Sequence, residues 1–318
     1  MYDVALAANV TPQTVSRAFR NTPDISEETR QRILKIAADL NYVMNNTASS
    51  LRGGNSRLIV VVYDNLMNVY FSVMVDYLQN SLREKGYSIL MLSVPQARFD
   101  RSTYEFAVSH SAAGVVSFLE PEEEIEGLVD QFGIPVLIFG RRSRLRNVDY
   151  IRTDDEEGGR LAAKRLAEDG VRRFAYLTVD FSVSCAAERF RGFSEEIARL
   201  GLEAPVVVND FVSPLEESLI RLFSNEETAP EGFFCFNDMI AFDLLFLLEK
   251  HGFPRVRVVG YDCIQQELHF PVRLTSVGTD KFALASRASS MIVSAIESKE
   301  RGGRGETLGV FLLDGTTA

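Results

Sequence analysis

The chain has 318 residues, 46% hydrophobic and 25% charged, with a mean hydropathy of −0.01. That length suits about two to three domains, and the composition excludes a disordered chain, a collagen-like repeat and a small disulfide scaffold. No apolar run approaches the ~20 residues that span a bilayer, and the three cysteines, Cys185, Cys235 and Cys263, form no CxxC pair that would suggest a zinc knuckle.

The opening Met1-Tyr2-Asp3-Val4 has neither a basic leader nor an apolar signal core, so a reducing compartment, most simply the cytoplasm, is expected. The net charge of −10 is unevenly spread. Residues 1–57 carry seven Lys/Arg against five Asp/Glu, and the remainder holds the whole acidic excess. A mildly basic head on an acidic body is the pattern of a small nucleic-acid module joined to a larger soluble domain.

The head reads as three short helices. The first runs over residues 3–8 and stops at Asn9, a residue that tolerates the left-handed conformation. Thr11-Pro12 starts the second: Thr caps, and Pro is preorganised for the first helical position. Val15, Ala18 and Phe19 give it an apolar stripe, leaving Gln13, Thr14, Ser16, Arg17 and Arg20 on its other faces. Ser26 caps the third, with Glu27 and Glu28 in the first turn, where the dipole favours acids, and with Ile33, Leu34, Ala37 and Leu40 as its expected buried stripe. Two short helices across a tight turn, steadied by a third, make a helix-turn-helix or, more blandly, a small helical bundle.

Residues 45–57 are small, polar and rich in glycine towards their end, with Leu51 their one large apolar side chain. Composition alone makes them a linker. Beyond it, β-rich runs at 58–63, 87–92, 114–118, 135–139, 173–178, 205–208, 232–236 and 256–260 alternate with helix-length stretches such as 71–85, 156–169, 186–200 and 238–251. Alternating strands and helices with continuously apolar strands imply parallel sheets covered by helices. Two such lobes suit the length better than one.

An enzyme finds little support. His110, His251 and His269 lack metal-ligand spacing, and no GxSxG or GxxxxGK[ST] motif occurs. Gly302-Gly303-Arg304-Gly305 lacks the strand-to-helix context of a phosphate loop and reads as a turn. No metal or cofactor is expected.

Asp3-Val4-Ala5, Asn9-Val10-Thr11, Thr14-Val15-Ser16-Arg17 and Ser26-Glu27-Glu28-Thr29-Arg30 resemble, in order and spacing, the headpiece of the lactose-repressor (LacI/GalR) family of transcription regulators. The likeness continues through Asn68-Val69-Tyr70-Phe71, Asp154 to Arg160, Arg189-Phe190-Arg191-Gly192-Phe193, Asn237-Asp238-Met239, Val258-Val259-Gly260-Tyr261-Asp262 and Leu274-Thr275-Ser276-Val277. Departures include Met44 where proline is usual, Val171 for a histidine, Asp314 for a basic residue, and residues 216–219 in place of a Gly-Tyr pair. The family's opening capping box pairs Asp3 with a threonine that would lie just upstream of Met1.

The resemblance implies a helix-turn-helix headpiece (1–44), a hinge helix (45–57) and a two-lobed α/β effector domain of periplasmic-binding-protein type (58–318). It puts residues 11–19 in the major groove as the recognition helix. Pro12 and Gln13 then hold base-reading positions, Arg17 a further contact, and Thr11, Thr14 and Ser16 the surrounding surface. In the hinge, Asn45, Ala48, Leu51 and Arg52 would meet DNA, Leu51 as a wedge in the minor groove. Ligands of open α/β sheets sit beyond the carboxyl ends of the strands, where Asn68, Phe71, Arg141, Asp238 and Asp262 fall, while the family turns the Arg189 helix to the same cleft. Arg189, Asp238 and Asp262 would bond hydroxyls, and Phe71 and Phe211 would offer an aromatic face to a sugar or sugar-like effector. Expected partners are a palindromic double-stranded operator and a second copy of the chain; with no leucine-heptad tail, dimers are expected rather than tetramers. A stand-alone cytoplasmic sugar-binding protein with weak or vestigial DNA binding is the alternative.

Overall fold

The computed structural model describes residues 1–19, 22, 24–42, 56–94, 98–209, 214–253, 255–298 and 302–318. They divide into two compact units, Met1–Ser56 and Arg57–Ala318. The expected contacts Asn45, Ala48, Leu51, Arg52 and Phe211 lie outside the described residues.

In the first unit, α1 (Tyr2–Ala7), α2 (Pro12–Phe19) and α3 (Glu27–Asp39) enclose a core of Val4, Ala5, Ala8, Val15, Ala18, Ile33 and Ala37. The expected caps form: Thr11 Oγ1 accepts from the Thr14 amide at 3.2 Å and Ser26 Oγ from the Thr29 amide at 3.3 Å. Asn9 and Asn41 take φ of 52° and 49°, ending α1 and α3 in the left-handed region. Met1 stands at the N-cap of α1 with no side-chain hydrogen bond. Two members of the expected stripe differ, Leu34 being half-buried and outside this core. Leu40 is 48% exposed, because it lies at the C-cap of α3, where the chain leaves the helix; Ile36 packs inward instead.

The second unit has two lobes. The first holds β1 (Leu58–Tyr63), α4 (Val69–Glu84), β2 (Ser88–Ser93), α5 (Arg101–Ser109), β3 (Gly114–Ser117), α6 (Ile125–Phe132), β4 (Val136–Phe139) and β5 (Asp149–Thr153). The second holds α7 (Asp155–Glu168), β6 (Phe174–Thr178), α8 (Ser184–Arg199), β7 (Val206–Asn209), α9 (Leu215–Leu222), β8 (Gly232–Cys235), α10 (Asp238–Lys250), β9 (Arg257–Tyr261) and β10 (Thr275–Gly278). The chain then returns to the first lobe for α11 (Lys281–Ser298) and β11 (Gly305–Leu308), and ends in the second with β12 (Phe311–Leu313).

The sheet orders are β11-β5-β4-β3-β1-β2, all parallel, and β12-β10-β9-β8-β6-β7, parallel except for β12. Each sheet is covered on both faces, which is why β1 reads Leu-Ile-Val-Val-Val-Tyr without polar alternation. In the first lobe α4 and α11 cover one face, and α5 and α6 the other; in the second, α7 and α8 oppose α9 and α10.

Three short segments therefore cross between lobes: β5 to α7, β10 to α11, and β11 to β12. They are tied side by side. The Asp154 amide donates to the Leu308 carbonyl at 2.9 Å, and Thr279 Oγ1 donates to the Gly309 carbonyl at 2.8 Å. Lobe movement is thus confined to one narrow hydrogen-bonded strap.

Candidate effector cavity and DNA-reading helix

The carboxyl ends of both sheets face one cavity of about 60 Å³. The first lobe lines it with Asn68, Tyr70 and Phe71 after β1, Phe118 after β3, and Phe139, Gly140 and Arg141 at the end of β4. The second lobe adds Cys185 and Arg189 from α8, Phe236 and Asn237 after β8, and Tyr261 and Asp262 at β9. Pockets that engulf a small molecule measure ~300–1,000 Å³. The lobes are therefore closed upon an almost filled space, and a ligand enters by displacing side chains or parting them.

Arg189 is fixed by the packing of α7 on α8. The two helices meet backbone to backbone at Gly159 and Gly192: a Cβ on the first would overlap the Arg189 carbonyl oxygen, and one on the second the Glu156 carbonyl. That approach sets Asp155, in the first turn of α7, beside Arg189, whose Nε donates to Asp155 Oδ1 at 2.8 Å. Arg189 Nη1 also donates to the Phe236 carbonyl, and the guanidinium lies 3.4 Å from the centroid of the Tyr261 ring and 4.8 Å from that of Phe236. Only 7% of Arg189 is exposed. Burial is the largest single influence and opposes its charge, but Asp155, together with Tyr261, Cys185 and Asp262, outweighs burial and holds the guanidinium well above its ordinary pKa. The second Asp155 oxygen, Oδ2, is buried with no hydrogen-bond partner. Such an atom costs about 1–3 kcal/mol until something donates to it.

Asp262 occupies a φ of +106°, a conformation that costs a non-glycine residue about 1–3 kcal/mol and needs the surroundings to hold it. Burial pushes its carboxyl well above the usual carboxylate range, against the pull of Arg189. Asn68 is in the lining too, but its side-chain oxygen accepts from the Tyr70 amide at 3.1 Å to cap α4, leaving its amide group for a ligand. Phe71 packs on Phe118 at 5.2 Å, and Phe118 on Phe139 at 4.9 Å, giving the first lobe an aromatic wall.

Asp238 departs from expectation. It is not in the cavity lining but behind it, accepting from Ser276 Oγ at 2.6 Å and from the Ile264 amide at 2.8 Å. Both carboxylate oxygens are engaged, one joining α10 to β10 and the other to the loop after β9, and burial pushes the group up to about 7. Its neighbour Asn237 caps α10, accepting from the Ile240 amide at 2.9 Å, and lines the cavity. Sequence reasoning also passed over Asp155, Tyr70, Phe236 and Tyr261. Of the adjacent acids at the start of α7, Asp154 is the cap, accepting from the Glu157 amide at 3.1 Å, and Asp155 turns inward.

In the first unit, Gln13 is exposed on α2, and Pro12, Thr14 and Ser16 are half-buried beside it. Thr11 Oγ1 and Thr14 Oγ1 bond each other at 2.9 Å. Arg17 is exposed but paired with Asp24 at 2.9 Å, so any contact it makes with a base exchanges one acidic partner for another acceptor. Among the described residues no cluster of His, Cys, Asp and Glu could hold a metal ion, and no helix is long and apolar enough to cross a membrane.

Residues 1–45 match the family model of bacterial regulatory proteins of the lacI family, and residues 163–313 that of a periplasmic binding protein-like domain. The HTH-type transcriptional repressor PurR of Vibrio parahaemolyticus is 26% identical over 307 residues, which cover 94% of this chain and 92% of that one. PurR of Mannheimia succiniciproducens is 26% identical over 308 residues, with the same two coverages. Among solved structures, the Lac repressor dimer bound to operator and the anti-inducer ONPF is similar with a TM-score of 0.82 and 22% identity, covering 99% of this chain and 98% of that one. The complex of the transcriptional regulator CelR with cellobiose has a TM-score of 0.69 at 21% identity, with coverages of 99% and 98%. The three-helix head thus carries a DNA-binding module of the kind found in bacterial regulatory proteins of the lacI family, and the twin sheets joined by three crossings carry a periplasmic binding protein-like domain.

Proposed function

We propose that the protein is a transcriptional repressor that binds a palindromic operator as a homodimer and is controlled by a small sugar-like molecule held between its lobes. The observation that carries this is the cavity, walled by both lobes and strapped by three crossings, in a chain that also presents the capped, exposed helix α2. The reading divides the chain into a DNA-binding headpiece (1–44), a hinge (45–57) and an effector domain (58–318).

Coupling follows from connectivity. A ligand touching Arg141 or Phe71 on one side and Arg189, Asn237 or Asp262 on the other is stabilised only when the lobes hold one mutual angle. Residues 45–57 run directly into β1, so the lobe angle in each protomer sets the separation of the two hinges. A second copy would give the exposed Phe246 (66%) on α10 and Phe282 (65%) on α11 an apolar partner. Gln13 carries an amide suited to bidentate pairing with adenine, and Pro12 an apolar surface for a thymine methyl.

The test is a mobility-shift titration of the purified chain on palindromic and scrambled duplexes. Selective binding as a dimer, altered by a ligand whose effect Arg189→Ala removes, supports the proposal. Ligand binding without operator affinity would instead make the protein a stand-alone sugar binder.

A further inference from the structure

Two arginines line the cavity, and they are in different states. Arg189 is already paired, with Nε on Asp155, Nη1 on the Phe236 carbonyl and its face against two aromatic rings. Arg141, which follows Gly140 at φ +81°, has no ion pair and no side-chain hydrogen bond among the described residues. Its Nε is shielded from solvent and has no partner. We propose that the effector carries an oxyanion, a carboxylate or a phosphate, and that Arg141 receives it side-on through Nε and one Nη. This rests on the cavity being the effector site and names the chemical class of its ligand.

Charge accounting supports it. Arg189 and Asp155 neutralise one another. Asp262 makes no ion pair with either arginine, and its burial favours the protonated form. Arg141 is therefore left without a carboxylate partner at the cavity of a chain whose net charge is −10, so its presence is no by-product of general basicity. A sugar hydroxyl could accept from Nε, but it would leave the half-buried guanidinium without a counter-charge once a ligand covers it, and buried charges are paired. A guanidinium edge of one Nε–H and one Nη–H matches the two oxygens of a carboxylate or phosphate.

The backbone adds to the same field. Asn68, Cys185 and Asn237 all line the cavity, and they stand at or within the first turn of α4, α8 and α10. Three helices thus turn their positive ends to one space, an arrangement that favours an anion. The α8 end is the least satisfied: Val183 at its N-cap gives no side-chain bond, and Ser184 Oγ is buried without a partner. The wall of Phe71, Phe118 and Phe139 leaves room beside the anion for the flat face of a ring.

The experiment uses the full chain without DNA, with D-glucose, D-gluconate, D-glucose 6-phosphate and inorganic phosphate as probes, read by calorimetry and thermal shift. Wild type, Arg141→Met and Arg141→Lys are compared, so that general salting-out by phosphate cancels in the differences. At least one anionic sugar should bind about tenfold or more tighter than glucose, with the preference lost in Arg141→Met and partly kept in Arg141→Lys. Gluconate and glucose 6-phosphate distinguish carboxylate from phosphate. Without ligand, Arg141→Met should melt at a higher temperature than wild type, since it removes an unpartnered buried donor. Glucose binding as tightly as either anion, an anion preference that survives Arg141→Met, or silence from every probe including saturating phosphate overturns the oxyanion subsite. The effector reading fails separately, if no compound that releases operator depends on Arg189.

Discussion

Replacing Arg189 with methionine is the sharpest perturbation of the second unit. The Arg189 side chain is 8% exposed and its partner Asp155 fully buried, so the substitution strands a carboxylate in the interior. Breaking a buried pair from one side costs about 3–5 kcal/mol, most of it the unpaired charge left behind. The ring contacts to Tyr261 and Phe236 belong to the same guanidinium and are not added separately. For a urea m-value of about 2–3 kcal/mol/M, the midpoint should fall by about 1–2 M. Two spectroscopic probes are needed, because a chain of two units need not unfold in one step. Adding Asp155→Leu should restore most of the loss, as replacing both members of a buried pair is often neutral. A single-variant cost below about 1 kcal/mol, or no recovery in the double variant, would refute the buried-pair reasoning.

Three further outcomes are expected. Gly192→Ala drives a methyl into the Glu156 carbonyl, so it should lower the melting temperature and weaken effector binding together; a stability within about 0.5 kcal/mol of wild type would show that α7 and α8 can part freely. Asp238 has a folded pKa of about 7 against 3.8 when unperturbed, so the native state holds the extra proton between those values. Stability should therefore fall as pH rises through that window, by up to about 1.4 kcal/mol per unit, and Asp238→Asn should flatten the slope measured by urea melts. Gln13→Ala should cost about 1–3 kcal/mol at one operator base and leave affinity for scrambled DNA unchanged; a uniform loss would place Gln13 on the phosphates instead.

How much of this was legible in the sequence depended on the kind of signal. All eight expected strands appear: β1, β3, β4, β6, β8 and β9 are continuous apolar runs inside a covered sheet, while β2 and β7 are apolar runs at its edge. The strands passed over, β5, β10, β11 and β12, lie at or near the crossings and are short or polar. β5 reads Asp-Tyr-Ile-Arg-Thr because alternate residues leave its core, and β11 is an edge. Caps separated by sequence distance, Thr11 and Ser26, were read correctly. Adjacent polar pairs were not: in Asp154-Asp155 and Asn237-Asp238 one residue caps and the next turns about 100° around the helix into the interior. Composition cannot say which is which. Nor can it show that Arg189 is paired while Arg141 is not, since that depends on α8 meeting α7 across residues far apart in the chain.

The central claim is that one chain links operator and cavity, and linkage gives it a direct test. Operator affinity is measured by fluorescence anisotropy on a palindromic duplex with and without a cavity-saturating ligand, and ligand affinity is measured by calorimetry with and without that duplex. The account predicts that the two factors are equal and differ from one, typically about 5–150-fold, and that both collapse to one in Arg189→Ala. A ligand that binds identically to free and operator-bound protein would contradict it.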